Sequence, residues 1–309
     1  MRFGIQTRGD WDYVLATARW AEDRGDIEMI GLPDHYLQRG TELEAPAWDH
    51  LVHLAALAGR TSTIGLASVV SPVTFRHPAV LYKMALTIDE ISGGRFTLGI
   101  GAGWMEEEFE VFGLPFPDLG TRMEMYEEAM AYVRAAITPG AKGFEGEHYH
   151  LAEFDPRPHP IGLRLMGGGS GGPKARRITA QYADEYNLYA RRPDEFREKR
   201  EATRELATEL GRDPDEIMWS SAGPGVAAKK ESDYRPLLAA FAERTGHTPE
   251  HVEEVWDERG YPHGSGSKPA EMIAALEEAG CERFYPQVFI EDEDDPSRFD
   301  VIFDAYMGN

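Results

Sequence analysis

Apolar positions along the chain switch repeatedly between a period of two and a period near three and a half, as strands alternating with helices require. Arg2–Thr7 alternates, carries Phe3 and Ile5, and reads as a first strand. Trp11–Arg24 then places Trp11, Val14, Leu15, Ala18 and Ala21 at helical spacing and stops at Gly25. The same patterns give strands over Glu28–Leu32, Thr63–Val70, Arg95–Ile100, Leu163–Met166, Ala183–Ala190, Ile217–Ala222 and Arg283–Phe289. Helices fall at Trp48–Gly59, Pro78–Ile91, Leu119–Ile137, from Pro173 onward, Asp194–Leu210 and Lys268–Ala279. Two stretches break the rhythm: an irregular one over 138–160 with a small hairpin around Gly143–Leu151, and a largely helical one over 226–266. Eight strands separated by helices or long connections, with no short internal repeat, predict a closed parallel (β/α)8 barrel, a TIM barrel with two insertions, as one domain over 1–309. An open doubly wound sheet is the other arrangement this order permits.

Composition changes the picture only in part. A chain of 309 residues exceeds the usual single core, but parallel barrels reach this size, and 42% hydrophobic content is ordinary for a globular protein. No apolar run approaches the ~20 residues of a membrane span, and Met1–Thr7 lacks a signal-peptide core, so a cytoplasmic protein with no membrane partner is expected. The formal charge of −22 argues against nucleic acid, whose phosphates are held by clustered Lys and Arg. It also means that an anionic ligand needs a local positive pocket. Cys281, the single cysteine, has no internal partner and reads as a buried small residue beside an apolar run.

One such pocket is suggested by Leu163–Lys174, L-R-L-M-G-G-G-S-G-G-P-K. A strand breaks into Gly167, Gly168, Gly169, Ser170, Gly171 and Gly172, and Pro173 opens a helix. Glycines let backbone N–H groups approach a ligand closely, and the first helical turn leaves donors unpaired with positive partial charge behind them, which suits a phosphate. A turn that merely reverses the chain would have the same composition. In a barrel this loop shares the C-terminal face with Asp34-His35, with Ser68-Val69 and with Gly101–Trp104. Asp34-His35 is the best acid–base pair, because an imidazole titrates near neutrality and a carboxylate can set its tautomer. Gly101, Gly103 and Trp104 lack the spacing and later acid of a dinucleotide fingerprint and read as a flat surface for a ring, with Trp104 as one wall. Arg76 and His77 add positive charge to the rim, while Glu106, Glu107 and Glu108 sit where acids favour a helix start. His50 and His53 read as partly packed helix residues, and no histidine pair comes with the partners of a metal site, so no metal is expected.

These stretches together resemble the bacterial-luciferase-like oxidoreductases, and within them the branch dependent on the deazaflavin coenzyme F420. The resemblance is carried in order by F-G-I-Q-T at Phe3–Thr7, D-H at Asp34-His35, S-P-V-T-F-R-H-P at Ser71–Pro78, D-E-I-S-G-G-R-F-T-L-G-I-G-A-G-W at Asp89–Trp104, G-G-G-S-G at Gly167–Gly171 and A-D-E-Y-N at Ala183–Asn187. It implies a barrel enzyme holding F420, or alternatively flavin mononucleotide (FMN), on its C-terminal face, with the phosphate at Gly167–Gly172. It further implies a cis peptide at Ser68-Val69 bulging toward the ring, and on this reading His35 is expected as proton donor or acceptor with Asp34 as its orienter or a ring partner. Sugar-phosphate dehydrogenases of this branch have an acid where this chain has Trp104, which speaks against that substrate. The resemblance leaves open an FMN monooxygenase and a coenzyme-binding protein without turnover; a hydrolase or isomerase would need paired carboxylates not found at the strand ends. The partner is expected to be a small-molecule substrate, its pocket built from Gln38–Trp48, Phe109–Leu119 and the 226–266 insertion, with Trp48, Trp256, Tyr261 and His263 as candidate walls. A homodimer through early helices is the corresponding quaternary expectation.

Overall fold

The computed structural model describes residues 1–37, 46–154, 157–189, 192–288 and 298–308. Eight strands form the barrel: β1 (Arg2–Gln6), β2 (Met29–Leu32), β3 (Gly65–Ser68), β4 (Phe96–Gly101), β5 (Arg164–Gly169), β6 (Glu185–Leu188), β7 (Met218–Pro224) and β8 (Arg283–Gln287). Each pairs in parallel with the next, and β8 pairs with β1, so the sheet closes. Closure and an outer layer of helices bury both faces of a strand, which is why β4 and β7 are buried along their whole lengths. The interior is filled by Met29, Ala67, Val69, Met166, Ala222 and Tyr285. Near the N-terminal strand ends Arg283 is held 3.0 Å from both Glu185 and Glu28.

The helices are α1 (Trp11–Arg24), α2 (His50–Ala58), α3 (Pro78–Ser92), α4 (Glu106–Phe112), α5 (Leu119–Ile137), α6 (Pro173–Tyr182), α7 (Pro193–Glu209), α8 (Glu231–Arg244), α9 (Pro249–Arg259), α10 (Lys268–Glu278) and α11 (Arg298–Met307). The second helix begins two residues later than its periodicity predicts, because the Asp49 side chain accepts from the Val52 N–H and caps it there. The last helix was not anticipated; Phe299, Ile302, Phe303 and Tyr306 bury one face of it, and the Tyr306 hydroxyl donates to the Pro224 and Pro262 carbonyls. The first interruption contains an antiparallel pair, Phe144–Glu145 with His150–Leu151. The second carries α8, α9 and a short parallel pair, Ala227–Ala228 with Gly264–Ser265, around its own apolar cluster of Tyr234, Leu238, Val252 and Trp256. Among the described residues no helix is long and apolar enough to cross a membrane.

One departure from regular geometry bears on the site. Ala67 lies opposite Thr97, and four residues further Ser71 lies opposite Ile100, only three residues further. One residue is therefore extra on the β3 side, a bulge between Ser68 and Ser71 at the C-terminal rim, after which Ser71-Pro72 resumes pairing with β4.

Candidate active site

The bulge carries a non-proline cis peptide at Val69-Val70, one residue beyond the Ser68-Val69 bond expected from the family resemblance. The neighbouring hydrogen bonds show how the chain is pinned on either side. Ser68 is buried, and its hydroxyl accepts from the Gly99 N–H at 2.8 Å and donates to the Gly99 carbonyl at 3.1 Å. Gln6 donates to the Val69 carbonyl at 2.7 Å, and Gln287 in turn donates to Gln6. Ser68 is thus part of the barrel wall, not a group turned toward a ligand.

The glycines around the bulge also leave room for its side chains. A Cβ on Gly99, Gly101 or Gly168 would come within 2.7–2.8 Å of a Val70 methyl, and one on Gly31 within 2.8 Å of Val69 Cγ2. Gly101 and Gly168 therefore make room for a valine, and the valine, half-buried at the rim, forms the surface on which a ring could rest. Gly103 has φ +77°, a conformation that favours glycine, and its carbonyl accepts from the Arg122 guanidinium at 2.6 Å while that group lies 3.8 Å from the Phe116 ring. This fastens the turn that presents Trp104, which is 56% exposed.

His35 stands next to that indole, the two rings meeting edge to face at 5.6 Å. Its orienting carboxylate is Glu108, with Oε1 2.7 Å from His35 Nδ1; Asp34 is engaged elsewhere. Glu108 reaches back from the first turn of α4, its side chain 1% exposed against 21% for His35, and its other oxygen accepts from the Tyr36 and Leu37 N–H groups. A carboxylate that only accepts assigns the proton to Nδ1, leaving Nε2 for the mouth. Sequence reasoning missed Glu108 because three consecutive glutamates look alike. Only its neighbour Phe109, buried on the same helix, hints at which side faces inward.

Asp34 belongs to a second, deeper cluster. His50 Nδ1 lies 2.9 Å from one of its oxygens and Arg76 2.5 Å from the other, while the second arm of Arg76 holds Asp49. Burial acts to raise the Asp34 pKa, but His50 and Arg76 together reverse this and leave it below the ordinary carboxylate value. Arg76 also lies over the Tyr36 ring, which stacks on Phe75 at 4.2 Å, so the rim cation expected for a ligand is already committed to two carboxylates. His77 likewise caps α3, its Nδ1 accepting from the Ala79 N–H.

At the glycine loop, β5 extends through Gly169, Gly171 has φ +79°, and α6 begins at Pro173 with Gly172 as a cap that offers no side-chain acceptor. The first-turn donors of α6 are therefore left without a capping group. Arg176 donates to the Gly171 carbonyl at 3.2 Å, and its buried Nε has no hydrogen-bond partner among the described residues. Lys199 donates to the Ser170 carbonyl, and Ser170 itself is exposed. A Cβ on Gly172 would meet nothing within 4 Å, so space lies beside it. An uncapped helix start with an arginine and open space fits an anion such as a phosphate.

Trp48 lines a pocket together with His35, His50 and His53, as a candidate wall should. Trp256, Tyr261 and His263 are buried in the insertion, Trp256 and Tyr261 within its apolar cluster. The 38–45 part of the expected substrate loop lies outside the described residues. Cys281 is buried, its thiol donating to the Arg283 carbonyl, and burial pushes its pKa well up. No cluster of three metal-ligating side chains lies among the described residues.

Comparison with known proteins agrees with this architecture. The chain is 33% identical to the pyrimidine monooxygenase RutA of Stutzerimonas stutzeri (strain A1501) over 157 residues, covering 48% of this chain and 43% of that protein. It is 29% identical to the F420-dependent glucose-6-phosphate dehydrogenase of Amycolatopsis mediterranei (strain U-32) over 179 residues, 57% of this chain and 51% of that one. The matched segments thus span about half the length of these relatives. A solved F420-dependent secondary alcohol dehydrogenase in complex with an F420-acetone adduct shares the fold with a TM-score of 0.79 at 18% identity, covering 99% of both chains. The model of one family, the luciferase-like monooxygenases, matches residues 2–292, and the chain belongs to that family.

Proposed function

We propose that the protein is an F420-dependent oxidoreductase that transfers a hydride between the deazaflavin and a small, uncharged organic substrate at the C-terminal mouth of the barrel. The observation that carries this reading is His35: half-buried, fixed by a buried carboxylate, and beside an exposed tryptophan at the rim. Bound there, the coenzyme supplies a hydride donor or acceptor. His35 Nε2 gives or takes the accompanying proton at the substrate's oxygen, and Glu108 holds the imidazole in the tautomer this needs. Val70 supports the ring, and the start of α6 with Arg176 holds the phosphate. An uncharged substrate is favoured because Arg76 already binds two carboxylates and Trp104 offers an apolar wall. The solved alcohol dehydrogenase with its acetone adduct is consistent with such a substrate.

A second reading, an FMN-dependent monooxygenase, draws support from the monooxygenase among the relatives and uses the same phosphate and ring surfaces. Fluorescence titration of the purified protein with F420 and with FMN, followed by oxygen-electrode measurements on each reduced complex, separates them. Binding of F420 without oxygen uptake is the expected result. Binding of FMN with an oxygen atom from O2 appearing in an organic product, rather than in hydrogen peroxide alone, would establish the second reading, and binding of neither would overturn both.

A further inference from the structure

His50 is the first residue of α2, yet only 3% of its side chain is exposed, and both ring nitrogens have neighbours. Nδ1 lies 2.9 Å from Asp34 Oδ1, an ion-pair contact whose angles are not those of a hydrogen bond, and Nε2 lies 3.3 Å from the Ser71 hydroxyl, within hydrogen-bond reach. Both partners are buried, Ser71 at 0% and Asp34 at 1%. The order Ser–His–Asp is that of a hydrolytic relay, but a serine sealed from solvent cannot meet a substrate, so nucleophilic chemistry is excluded by burial. What the contacts join is more informative. Ser71 is the residue at which the chain returns to register after the Val69-Val70 bulge, and Asp34 directly precedes His35.

We infer that His50 is a positioning residue: one buried imidazole ties the bulge that supports the ring to the arm that carries His35, fixing the separation of the two. The backbone bond from the Val69 N–H to the Leu32 carbonyl joins the same strands one layer deeper, and the Glu108 contacts hold the His35 arm from the opposite side. His50 touches both Ser71, where the bulge ends, and Asp34, beside His35, and acts alongside the Arg76–Asp34 pair from the arm that follows. Reacting atoms misplaced by about 1 Å can cost about a hundredfold in rate. The catalytic half of this inference rests on the coenzyme reading above; the mechanical half does not.

Hydrogen–deuterium exchange on the coenzyme-free protein tests the tie directly. His50→Leu should accelerate exchange about tenfold in peptides spanning both 33–37 and 68–73, with less than about threefold change within α2. His50→Gln should restore both segments, because one amide can donate to Asp34 and accept from Ser71. Ser71→Ala, which cuts only one end, should also loosen 33–37. Acceleration confined to one segment or to α2, or failure of glutamine to rescue, overturns the inference; if His50→Leu does not fold, a Ser71→Ala response confined to 68–73 does the same. The visible circular dichroism of bound F420 should weaken in His50→Leu and recover in His50→Gln, and an unchanged spectrum would sink the catalytic half. A wild-type protein that binds neither coenzyme would refute the proposed function while exchange still decides the tie.

Discussion

Replacing Gly168 and Val70 with alanine, singly and together, separates two purposes that a rim glycine can have. In Gly168→Ala the new Cβ lies 2.8 Å from both Val70 methyls and 3.3 Å from its Cβ, while the backbone at 168 has no positive φ to oppose a side chain. Overpacking of this kind costs about 1–3 kcal/mol. Val70→Ala removes two half-buried methyls, worth about 1 kcal/mol at this exposure. If the glycine exists for the valine, truncating the valine clears both short contacts and leaves only the 3.3 Å one. The double variant should then be about as stable as Val70→Ala alone, a coupling of about 1–2 kcal/mol between the two sites. Urea unfolding at equilibrium, with m-values checked for constancy, measures all four corners of the cycle. Losses that add to within about 0.5 kcal/mol would refute the packing argument and return Gly168 to the ligand.

His35→Ala should lower turnover with a working substrate by at least about a hundredfold while changing coenzyme affinity less than about threefold; equal loss in both would remove His35 from proton transfer. Glu108→Ala leaves three donors, His35 Nδ1 and the Tyr36 and Leu37 N–H groups, without their acceptor. The expected cost is about 3 kcal/mol, read by calorimetry as a melting point lower by about 6 °C, and a shift under about 1 °C would show that these bonds contribute nothing net. Asp34 has its pKa depressed in the folded state, so the stability it contributes is complete above its unfolded value near about 3.9 and is lost as the pH falls through the lower folded value. Asp34→Asn should flatten that acid limb in pH-dependent unfolding, and an unchanged limb would assign it to other carboxylates.

The division of labour between sequence and tertiary structure is visible at particular residues. Hydrophobic periodicity and glycine and proline punctuation are local properties, and they determined the eight strands, most of the helices, the two interruptions and the glycine loop that opens α6. Order then allowed a closed barrel or an open doubly wound sheet, since parallel strands need crossovers in either, and the pairing of β8 with β1 decided for the barrel. Which side chain meets which is not local. Glu108 comes to His35 across 73 residues, Asp34 turns from its sequence neighbour to His50 and Arg76, and Gly168 faces Val70, because closing the barrel brings loop ends together that the chain keeps apart. The sequence by itself determined the elements and the face on which chemistry gathers. Only the packed barrel decided the partners there, because a carboxylate's choice among neighbours depends on distances of a few ångströms that no linear spacing encodes.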